Sequence, residues 1–384
     1  MHATLTVIAA VCALLALAGA MYFALCVWAA RRFRREGSKV SGIDFEPPVS
    51  ILKSLKGLDP HMYAAFRSHC LLDYAEYELL FGVNDPNEPA LELVTRLQRE
   101  CPQRKIRVIQ CPKVLGLNGK VSTLAQMLPQ AKYEHMLIND SDIVAPPDYL
   151  RRVMRPFAGQ RVGMVTSLYR GLAGKTLPSK LEAFGLSTDF MGGVLVARQM
   201  ERGMRFALGA TMATTKRVLR EIGGLEPLVD CLGDDYELGA RTAAAGYKIE
   251  LSHVVVETAL PDYTFSSFWS HQLRWARNVR DRRPAQYFGL IVTFGLAWGI
   301  LSVLAAPFLW WTWTAFVVVA LLRILAAATV GHSVLGDPSV MSDLWLLPLR
   351  DFVAFAVWLT SFAGNEIEWR GLKFRVRNGK LEKL

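Results

Sequence analysis

Residues 134–142 read EHMLINDSD, an apolar run that ends in Asn139, Asp140 and Asp142. A short apolar run bounded by turn-forming residues is typical of a buried β-strand. We therefore expect a strand that carries an amide and two carboxylates directly at its carboxyl end.

The same pattern recurs on both sides of this strand and alternates with helical patterns. Strand-like runs occupy 49–55, 77–85, 105–111 and 162–169, and helical patterns occupy 89–101, 119–128 and 147–157. Strands that alternate with crossover helices form a mostly parallel sheet with helices on both faces. We therefore predict an α/β domain. Ligands of such sheets bind beyond the carboxyl ends of the strands, where Asp85 and Asp140 are expected.

The two ends of this domain are flanked by apolar segments. Residues 1–30 contain no Asp, Glu, Lys or Arg, and RRFRRE follows at 31–36. A small-residue site at 18–20 would also suit a cleaved signal peptide, but no positive charge precedes the apolar run. The basic flank lies after it, so the positive-inside rule favours an anchor with its N-terminus outside and Arg31 onward in the cytoplasm.

A second apolar stretch runs from 287 to 336 and is interrupted by one charge, Arg323. It is long enough for two spans, at 287–306 and 314–333. The segment 344–362 carries Arg350 and Asp351, and its uncharged remainder suits a re-entrant or interfacial helix better than a span. We predict an anchor at 1–30, a cytosolic domain with interfacial helices at 31–285, and a membrane region with a basic cytosolic tail at 286–384.

The net charge of +10 is concentrated beside the apolar segments, at 31–35, 274–283 and in the tail. Basic residues at such positions favour an anionic membrane surface as the partner, so we expect no nucleic acid. The six cysteines form no CxxC pair and no metal-finger spacing. This usage is typical of a reduced cytosolic domain.

The polar strand end and a glycine-rich corner suggest a site for phosphates and a metal. Asp140 and Asp142 are hard carboxylate ligands of the kind that Mg²⁺ or Mn²⁺ prefers. Such a pair is also favoured in ordinary turns. The stretch GLNGKVSTL places Lys120 at the start of a helix, where free N–H groups and a cation suit phosphate. A plain helix entry would look much the same.

Two further motifs follow. CLGDDYELG places Asp234 and Asp235 at a helix start, where a carboxylate is either a cap or a reactive group. HQLRW at 271–275 leads into the second apolar stretch. Arg274 and Trp275 suit a diphosphate and a ring, although a cationic aromatic helix is also typical of a membrane-surface anchor.

The order of Asp85, Asp140-Ser141-Asp142, GDDYELG and HQLRW resembles the D, DxD, (E/D)D, (Q/R)xxRW signature of family 2/21-type glycosyltransferases, and within these the ceramide glucosyltransferase family. The match covers nearly the whole chain. The tail, which contains WRG, resembles the bacterial hopanoid-associated branch. The resemblance implies a GT-A-like fold. It also implies that Asp85 contacts uracil, Asp140 and Asp142 hold ribose and metal-diphosphate, and Asp235 is the catalytic base.

The resemblance further implies that Asp234 occupies the place usually filled by Glu, and that Arg274 and Trp275 line the donor and acceptor pocket. His271 departs from the family, which shows Gln or Arg there. We therefore expect an inverting glycosyltransferase in a bacterial inner membrane, with its catalytic domain in the cytoplasm.

The expected reaction moves one sugar, glucose or N-acetylglucosamine, from a UDP-sugar to a lipid hydroxyl of a ceramide-type or hopanoid acceptor. One alternative is a processive polysaccharide synthase, which needs a channel usually built from more spans. From another class, a non-catalytic scaffold or a transporter would leave the clustered carboxylates unexplained.

Overall fold

A computed structural model describes residues 2–37, 45–59, 61–369 and 371–384 of the chain. Arg370, in the WRG of the basic tail, lies outside the described residues. The strands are β1 Val49–Ser54, β2 Tyr77–Val83, β3 Lys105–Gln110, β4 His135–Ile138, β5 Ile143–Val144, β6 Val162–Leu172, β7 Met212–Thr215, β8 Lys248–Ala259, β9 Glu366–Trp369, β10 Leu372–Arg377 and β11 Lys380–Lys383.

The α-helices differ widely in length, and the first has 36 residues. They are α1 His2–Gly37, α2 Met62–Cys70, α3 Ala90–Glu100, α4 Gly119–Met127, α5 Tyr149–Met154, α6 Leu177–Gly185, α7 Met191–Met200, α8 Lys216–Glu221, α9 Asp234–Ala244, α10 Phe265–Arg282, α11 Pro284–Gly289, α12 Gly295–Ala305, α13 Trp310–Ala327, α14 Ser339–Ser342 and α15 Leu347–Ser361. Turns of π-helix occupy Leu186–Phe190 and Ala328–Val334.

The α/β prediction is confirmed by an eight-stranded sheet of order β3-β2-β1-β4-β7-β6-β8-β5. Strands β3, β2, β1 and β4 run parallel to one another. Beyond β4 the sheet is mixed, because β7 is antiparallel to both β4 and β6, and β8 is parallel to β6. Strand β2, which lies between β3 and β1, is buried along its whole length, as expected for a parallel strand covered on both faces.

The parallel half of the sheet fixes where the strand ends meet. Because β2 and β4 flank β1 and all three run the same way, their carboxyl ends share one edge of the sheet. Asp85 follows β2, and Asp140 follows β4. The edge that the sequence predicted for a ligand therefore carries both carboxylates.

The chain divides into two compact units, and each is interrupted in sequence. The sheet unit contains the described residues of 45–174, 200–261 and 379–384. The helical unit contains those of 2–37, 175–199 and 262–378. The segments 175–199 and 262–285, which the sequence analysis assigned to the cytosolic domain, thus belong to the unit that contains the long apolar helices.

In the helical unit, α1 packs against α12 and α13. The approach of α1 to α12 is close at Gly19, where a Cβ atom would lie 2.4 Å from the Cα atom of Gly295. Near the other end of the contact, the Ser302 hydroxyl donates to the carbonyl of Ala9 at 2.9 Å. Small residues at a helix contact allow the backbones to approach, as they do between helices in lipid.

Three described helical segments are long and apolar enough to cross a membrane: His2–Gly37, Trp310–Val334 and Leu344–Ser361. The segment Pro284–Thr293 and helix α12 form a pair that is bent by 54°. The sequence predicts a span at 287–306 and a re-entrant or interfacial helix at 344–362. The structure has a bend in the first of these segments and a candidate span in the second.

Candidate active site

Lys120 lies between two of the predicted carboxylates in the sheet unit. Its Nζ is 2.6 Å from Oδ1 of Asp140 and 3.3 Å from Oδ2 of Asp234. The two negative charges raise the pKa of Lys120 above its usual value, although burial opposes them. The lysine is therefore a fixed cation, and it joins the end of β4 to the start of α9.

Asn118 holds this corner in place. Its side-chain oxygen accepts from the N–H of Val121 and caps α4, on whose first turn Lys120 lies. Its Nδ2 donates to the carbonyl of Cys231 at 2.7 Å and approaches Oδ1 of Asp234 at 3.4 Å. This fully buried side chain thereby connects the glycine-rich corner to the Asp234-Asp235 segment.

Asp234 and Asp235 differ in their contacts. Helix α9 begins at Asp234, and its N-cap residue is Gly233, which has no side chain to cap the helix. The Asp234 contacts described above are with Lys120 and Asn118, so the cap expected for it is not seen in the described structure. Asp235 instead accepts backbone N–H groups, from Gly209 at 3.0 Å and from Tyr236 at 2.7 Å.

The surroundings of Asp235 make it more basic than an ordinary aspartate. Burial and then the negative charge of Asp234 raise the pKa of Asp235 to about 6, against the opposing effect of Lys120. A Cβ atom on Gly209 would lie 3.3 Å from Oδ2 of Asp235 and 3.2 Å from Oδ2 of Asp140. The two carboxylates therefore border the same space beside Gly209.

Asp142 is the second carboxylate of the predicted metal pair. One of its oxygens accepts a hydrogen bond from the Thr258 hydroxyl on β8. Burial and then the charge of Asp140 raise the pKa of Asp142 to about 6. A divalent cation would relieve the repulsion between these two carboxylates.

The donor set fits an ion that shares its ligands with a phosphate. Among the described residues, no group of three or more His, Cys, Asp or Glu side chains is arranged to hold a metal by itself. Mg²⁺ usually binds through one or two carboxylates together with water and substrate phosphates. Asp140 and Asp142 supply two such carboxylates, so they are suited to an ion completed by a ligand.

The strand between the two polar ends contributes a buried lysine that the sequence analysis did not select. Lys53 on β1 is 1% exposed, and its Nζ donates to the backbone carbonyl of Asp140 at 3.0 Å. Burial lowers its pKa to about 7, although Asp142 and Asp140 act in the opposite direction. Lys53 thus fixes the turn that carries both carboxylates.

Asp85 is exposed at the carboxyl end of β2, and its Oδ1 accepts from the N–H of Asn87 at 2.8 Å. It therefore stabilises its own turn and leaves its second oxygen toward solvent. The preceding Asn84 is tied inward, because its side chain bonds Thr123 and the carbonyl of Cys111. The structure places Asp85 on the predicted edge, apart from the ion pairs of Lys120.

The remaining predicted residues lie on α10 in the helical unit. The indole N–H of Trp275 donates to Nε2 of His271 at 3.1 Å, and Nδ1 of His271 lies 3.3 Å from the buried carboxylate of Glu182. Because Nε2 accepts, the ring proton is on Nδ1 and faces Glu182. The guanidinium of Arg274 stacks over the ring of Trp369 at 5.8 Å.

Several residues of the site were not identified from the sequence because their contacts are distant in the chain. Gly209 and Thr258 contact the candidate carboxylates, and Gln272 next to His271 bonds Glu182 and Arg350. The N-cap role of Asn118 was available as a signal, since Asn directly before a helical pattern is a typical cap.

Comparisons with known proteins agree with this architecture. A model of Glycosyl transferase family 21 matches residues 11–382. Ceramide glucosyltransferase 1 of Caenorhabditis elegans is 23% identical over 349 residues, which cover 87% of this chain and 72% of that protein. Ceramide glucosyltransferase 3 of the same organism is 24% identical over 352 residues, which cover 87% and 73% respectively.

A solved structure shows the same fold. The mannosyltransferase PcManGT from Pyrobaculum calidifontis, in complex with GDP-Man and Mn²⁺, matches with a TM-score of 0.55 and 17% identity. The match covers 94% of this chain and 98% of that protein. The predicted GT-A-like fold is thereby confirmed.

Proposed function

Because the chain belongs to glycosyl transferase family 21 and is a glycosyltransferase of the ceramide glucosyltransferase type, we propose that it transfers one sugar from a UDP-sugar to a hydroxyl of a membrane lipid. The sugar is glucose or N-acetylglucosamine, and the lipid is a ceramide-type or hopanoid alcohol. The candidate spans support a membrane-bound enzyme. The basic residues at the end of α1 support a cytoplasmic sheet unit, in a bacterial inner membrane with an anionic surface.

Asp235 is the proposed base. Its carboxylate takes the proton of the acceptor hydroxyl while the hydroxyl oxygen bonds to the anomeric carbon. The bond from that carbon to the phosphate oxygen breaks, UDP leaves, and the anomeric centre inverts. A carboxylate with a pKa of about 6 is a better proton acceptor than an ordinary aspartate and is still ionised at neutral pH.

The donor is proposed to lie along the sheet edge from Asp85 to Asp234. Asp85 has a free oxygen for the uracil, and Asp140 and Asp142 are suited to ribose and to a divalent ion on the diphosphate. Such an ion, Mg²⁺ or Mn²⁺, supplies positive charge as UDP leaves. The mannosyltransferase with the same fold is described with Mn²⁺. Lys120 adds a second cation, held by Asp140 and Asp234.

On α10, Arg274 and Trp275 are the proposed residues of the donor and acceptor pocket. A guanidinium suits the leaving diphosphate, and an indole packs against a sugar ring. His271 occupies the place of a family Gln or Arg. Its bond to the Trp275 indole gives it a role in orienting that ring.

The observation that carries the proposal is the different environment of the two adjacent aspartates. Asp234 shares an ion pair with Lys120, while Asp235 is held by two backbone N–H groups beside Asp140. We expect Asp235→Asn to abolish sugar transfer and to leave UDP binding largely intact, because the amide keeps the size of the side chain and can keep one of the two N–H bonds but accepts no proton.

The test uses purified full-length protein. Transfer is measured with radiolabelled UDP-glucose and UDP-N-acetylglucosamine on vesicles that contain ceramide or a hopanoid polyol, and UDP affinity is measured by calorimetry with Mn²⁺. Turnover by Asp235→Asn at the wild-type rate would refute the assignment. Product mass separates one sugar on a lipid from the polymer that a processive synthase would make.

A further inference from the structure

Gln272, on α10 next to His271, bridges an acid and a base. Its Nε2 donates to Oε2 of Glu182 at 2.6 Å, and its Oε1 accepts from Nη1 of Arg350 at 2.9 Å. An amide is the neutral side chain that can donate and accept at once. The reverse orientation would set its NH₂ against the guanidinium and its oxygen against the carboxylate, so the surroundings fix the amide.

The bridge continues into the long helices. Nε of Arg350 lies 3.0 Å from Oδ2 of Asp189, whose other oxygen bonds Arg323 on α13. Nη2 of Arg323 lies 2.8 Å from Oδ1 of Asp351 on α15. We call these five charged residues and Gln272 the buried charge network: Glu182, Asp189, Gln272, Arg323, Arg350 and Asp351. It connects α10 with α6, the π-turn before α7, and two candidate spans.

Most charges of the network are removed from water, although 27% of the Asp189 side chain is exposed. Arg323 is 2% exposed, Asp351 5% and Glu182 4%. Breaking a buried pair leaves an uncompensated charge and is strongly unfavourable. Burial alone would raise the pKa of Glu182, but His271 and Arg350 hold it below its usual value. Other arrangements of these buried charges are therefore unfavourable, and Gln272 ties α10 to the observed one.

From this geometry we propose that Gln272 is a positioning residue for sugar transfer. Gln272 sets the rotation and height of α10 on the buried charge network, and so aims Arg274 and Trp275, which lie within one turn of it. The inference rests on the proposed function, because it assigns those two residues to the donor and acceptor. It adds that the membrane helices set the geometry of transfer.

A purely structural contact would predict a different result. If Gln272 only stabilises the fold, a substitution lowers the amount or melting temperature of the protein and leaves the turnover of each folded molecule unchanged. If it positions α10, kcat per folded molecule falls further than UDP affinity does, because most of the proposed UDP contacts lie on the sheet unit rather than on α10. A misplacement of about 1 Å is able to lower a rate about a hundredfold.

The exchange of acid and amide gives the sharpest test. Gln272→Glu places two carboxylates together, and we expect kcat to fall about tenfold to a hundredfold. In the double variant Glu182→Gln and Gln272→Glu, one acid and one amide again face each other, with the new Glu beside Arg350. We expect kcat to return to within about threefold of wild type.

Glycines provide a matched pair of milder variants. A Cβ atom on Gly185 would lie 2.2 Å from Nε of Arg350, so Gly185→Ala displaces the guanidinium that holds Gln272. On Gly192 a Cβ atom would lie 3.6 Å from Sγ of Cys26, which is ordinary contact. We expect Gly185→Ala to lower kcat and Gly192→Ala to leave it unchanged.

The outcomes separate this inference from the proposed function. Wild-type protein that transfers no sugar to any lipid would refute the proposed function. If the wild-type protein is active and both Gln272→Glu and Gly185→Ala keep its kcat per folded molecule, the positioning role alone is refuted. If Gln272→Glu does not fold, Gly185→Ala against Gly192→Ala still decides. Loss of kcat per folded molecule in Gln272→Glu, with recovery in the double variant, supports it.

Discussion

At the scale of single residues, Asp235 is set apart from Asp234 by its neighbours. Both have the same chemistry and adjacent positions, but one faces Lys120 and the other faces two backbone N–H groups. The raised pKa of Asp235 follows from burial and from the charge of Asp234. This difference has a measurable consequence for the pH dependence of transfer.

We expect kcat/KM to fall on the acid side with an apparent pKa near 6. A base works when it is deprotonated. With a pKa of about 6, activity is therefore at its maximum above about pH 7 and is lost as the pH falls through about 6. Asp234→Asn removes the like charge and should move the acid-side fall of kcat/KM to lower pH. The measurement is a pH profile of kcat/KM for the wild type and for Asp234→Asn. An acid-side fall with the same apparent pKa in both proteins would contradict the explanation.

Gly209 offers a second test at this scale. A methyl group there would crowd Oδ2 of both Asp140 and Asp235. We expect Gly209→Ala to lower kcat about tenfold or more without unfolding the protein, since small displacements of reacting groups are costly. Gly289→Ala is the control, because a Cβ atom there meets nothing within 4 Å. Equal activity of the two variants would show that the space beside Gly209 is not used.

The sequence identified the candidate carboxylates because strand ends and helix starts are local patterns. It did not identify their partners. The bonds from Gly209 to Asp235 and from Thr258 to Asp142 span 26 and 116 residues. Such pairings depend on how the sheet closes, which periodicity does not encode. Lys53 was missed for the same reason. Its place in β1 is that of an ordinary strand residue, and its partner, the carbonyl of Asp140, is 87 residues away.

At the scale of elements, α4 is held by a residue that serves two purposes. Asn118 caps the helix and also bonds the segment before α9. We expect Asn118→Ala to lower the free energy of unfolding by about 2–3 kcal/mol, from the lost cap and the lost hydrogen bond to the carbonyl of Cys231. Thr215→Ala removes a cap alone, from α8, and should cost about 1 kcal/mol.

Denaturant unfolding of the two variants under identical conditions checks this difference. The ranking matters more than the values, because it isolates the second bond of Asn118. An Asn118→Ala protein as stable as Thr215→Ala would mean that the link to Cys231 contributes nothing.

The main strands of the parallel half of the sheet and β6 were predictable, whereas β7, β8 and the three tail strands were not identified from the sequence, nor was the membership of the elements in units. Patterns at 77–85, 105–111 and 162–169 became β2, β3 and β6, because apolar runs between turn signals are local. The bend between Pro284–Thr293 and α12 was not predicted. Composition across 287–306 is uniformly apolar, and the break follows from local backbone geometry near Phe294, where no charged residue marks it.

At the scale of the whole molecule, the sheet limits how often the chain crosses a membrane. Strand β1 belongs to the sheet unit, and so does the segment 379–384 at the other end of the chain. Within that unit, Leu381 donates to the carbonyl of Asp230, and Leu232 donates to that of Gly379. Both ends of the segment 262–378 therefore return to one side of the membrane. An even number of complete crossings must lie between them.

Three described segments are candidates for these crossings: 284–305, 310–334 and 344–361. The 54° bend makes 284–305 the weakest of them, because a straight helix spans a bilayer with the fewest residues. We therefore expect 310–334 and 344–361 to cross. This assignment differs from the spans that composition favours, at 287–306 and 314–333. In our assignment Phe308 lies on the side of the sheet and Met341 on the opposite side.

Single cysteines distinguish the two assignments. The six native cysteines are buried, whereas Val114, Phe308 and Met341 are 84%, 97% and 47% exposed. With a membrane-impermeant maleimide on oriented vesicles, Phe308→Cys should react together with Val114→Cys, the marker of the sheet side, and Met341→Cys should react from the other face. The reverse pattern for Phe308→Cys and Met341→Cys would establish 287–306 as a crossing and the segment 344–361 as re-entrant, since the sheet requires that one of the three segments turn back.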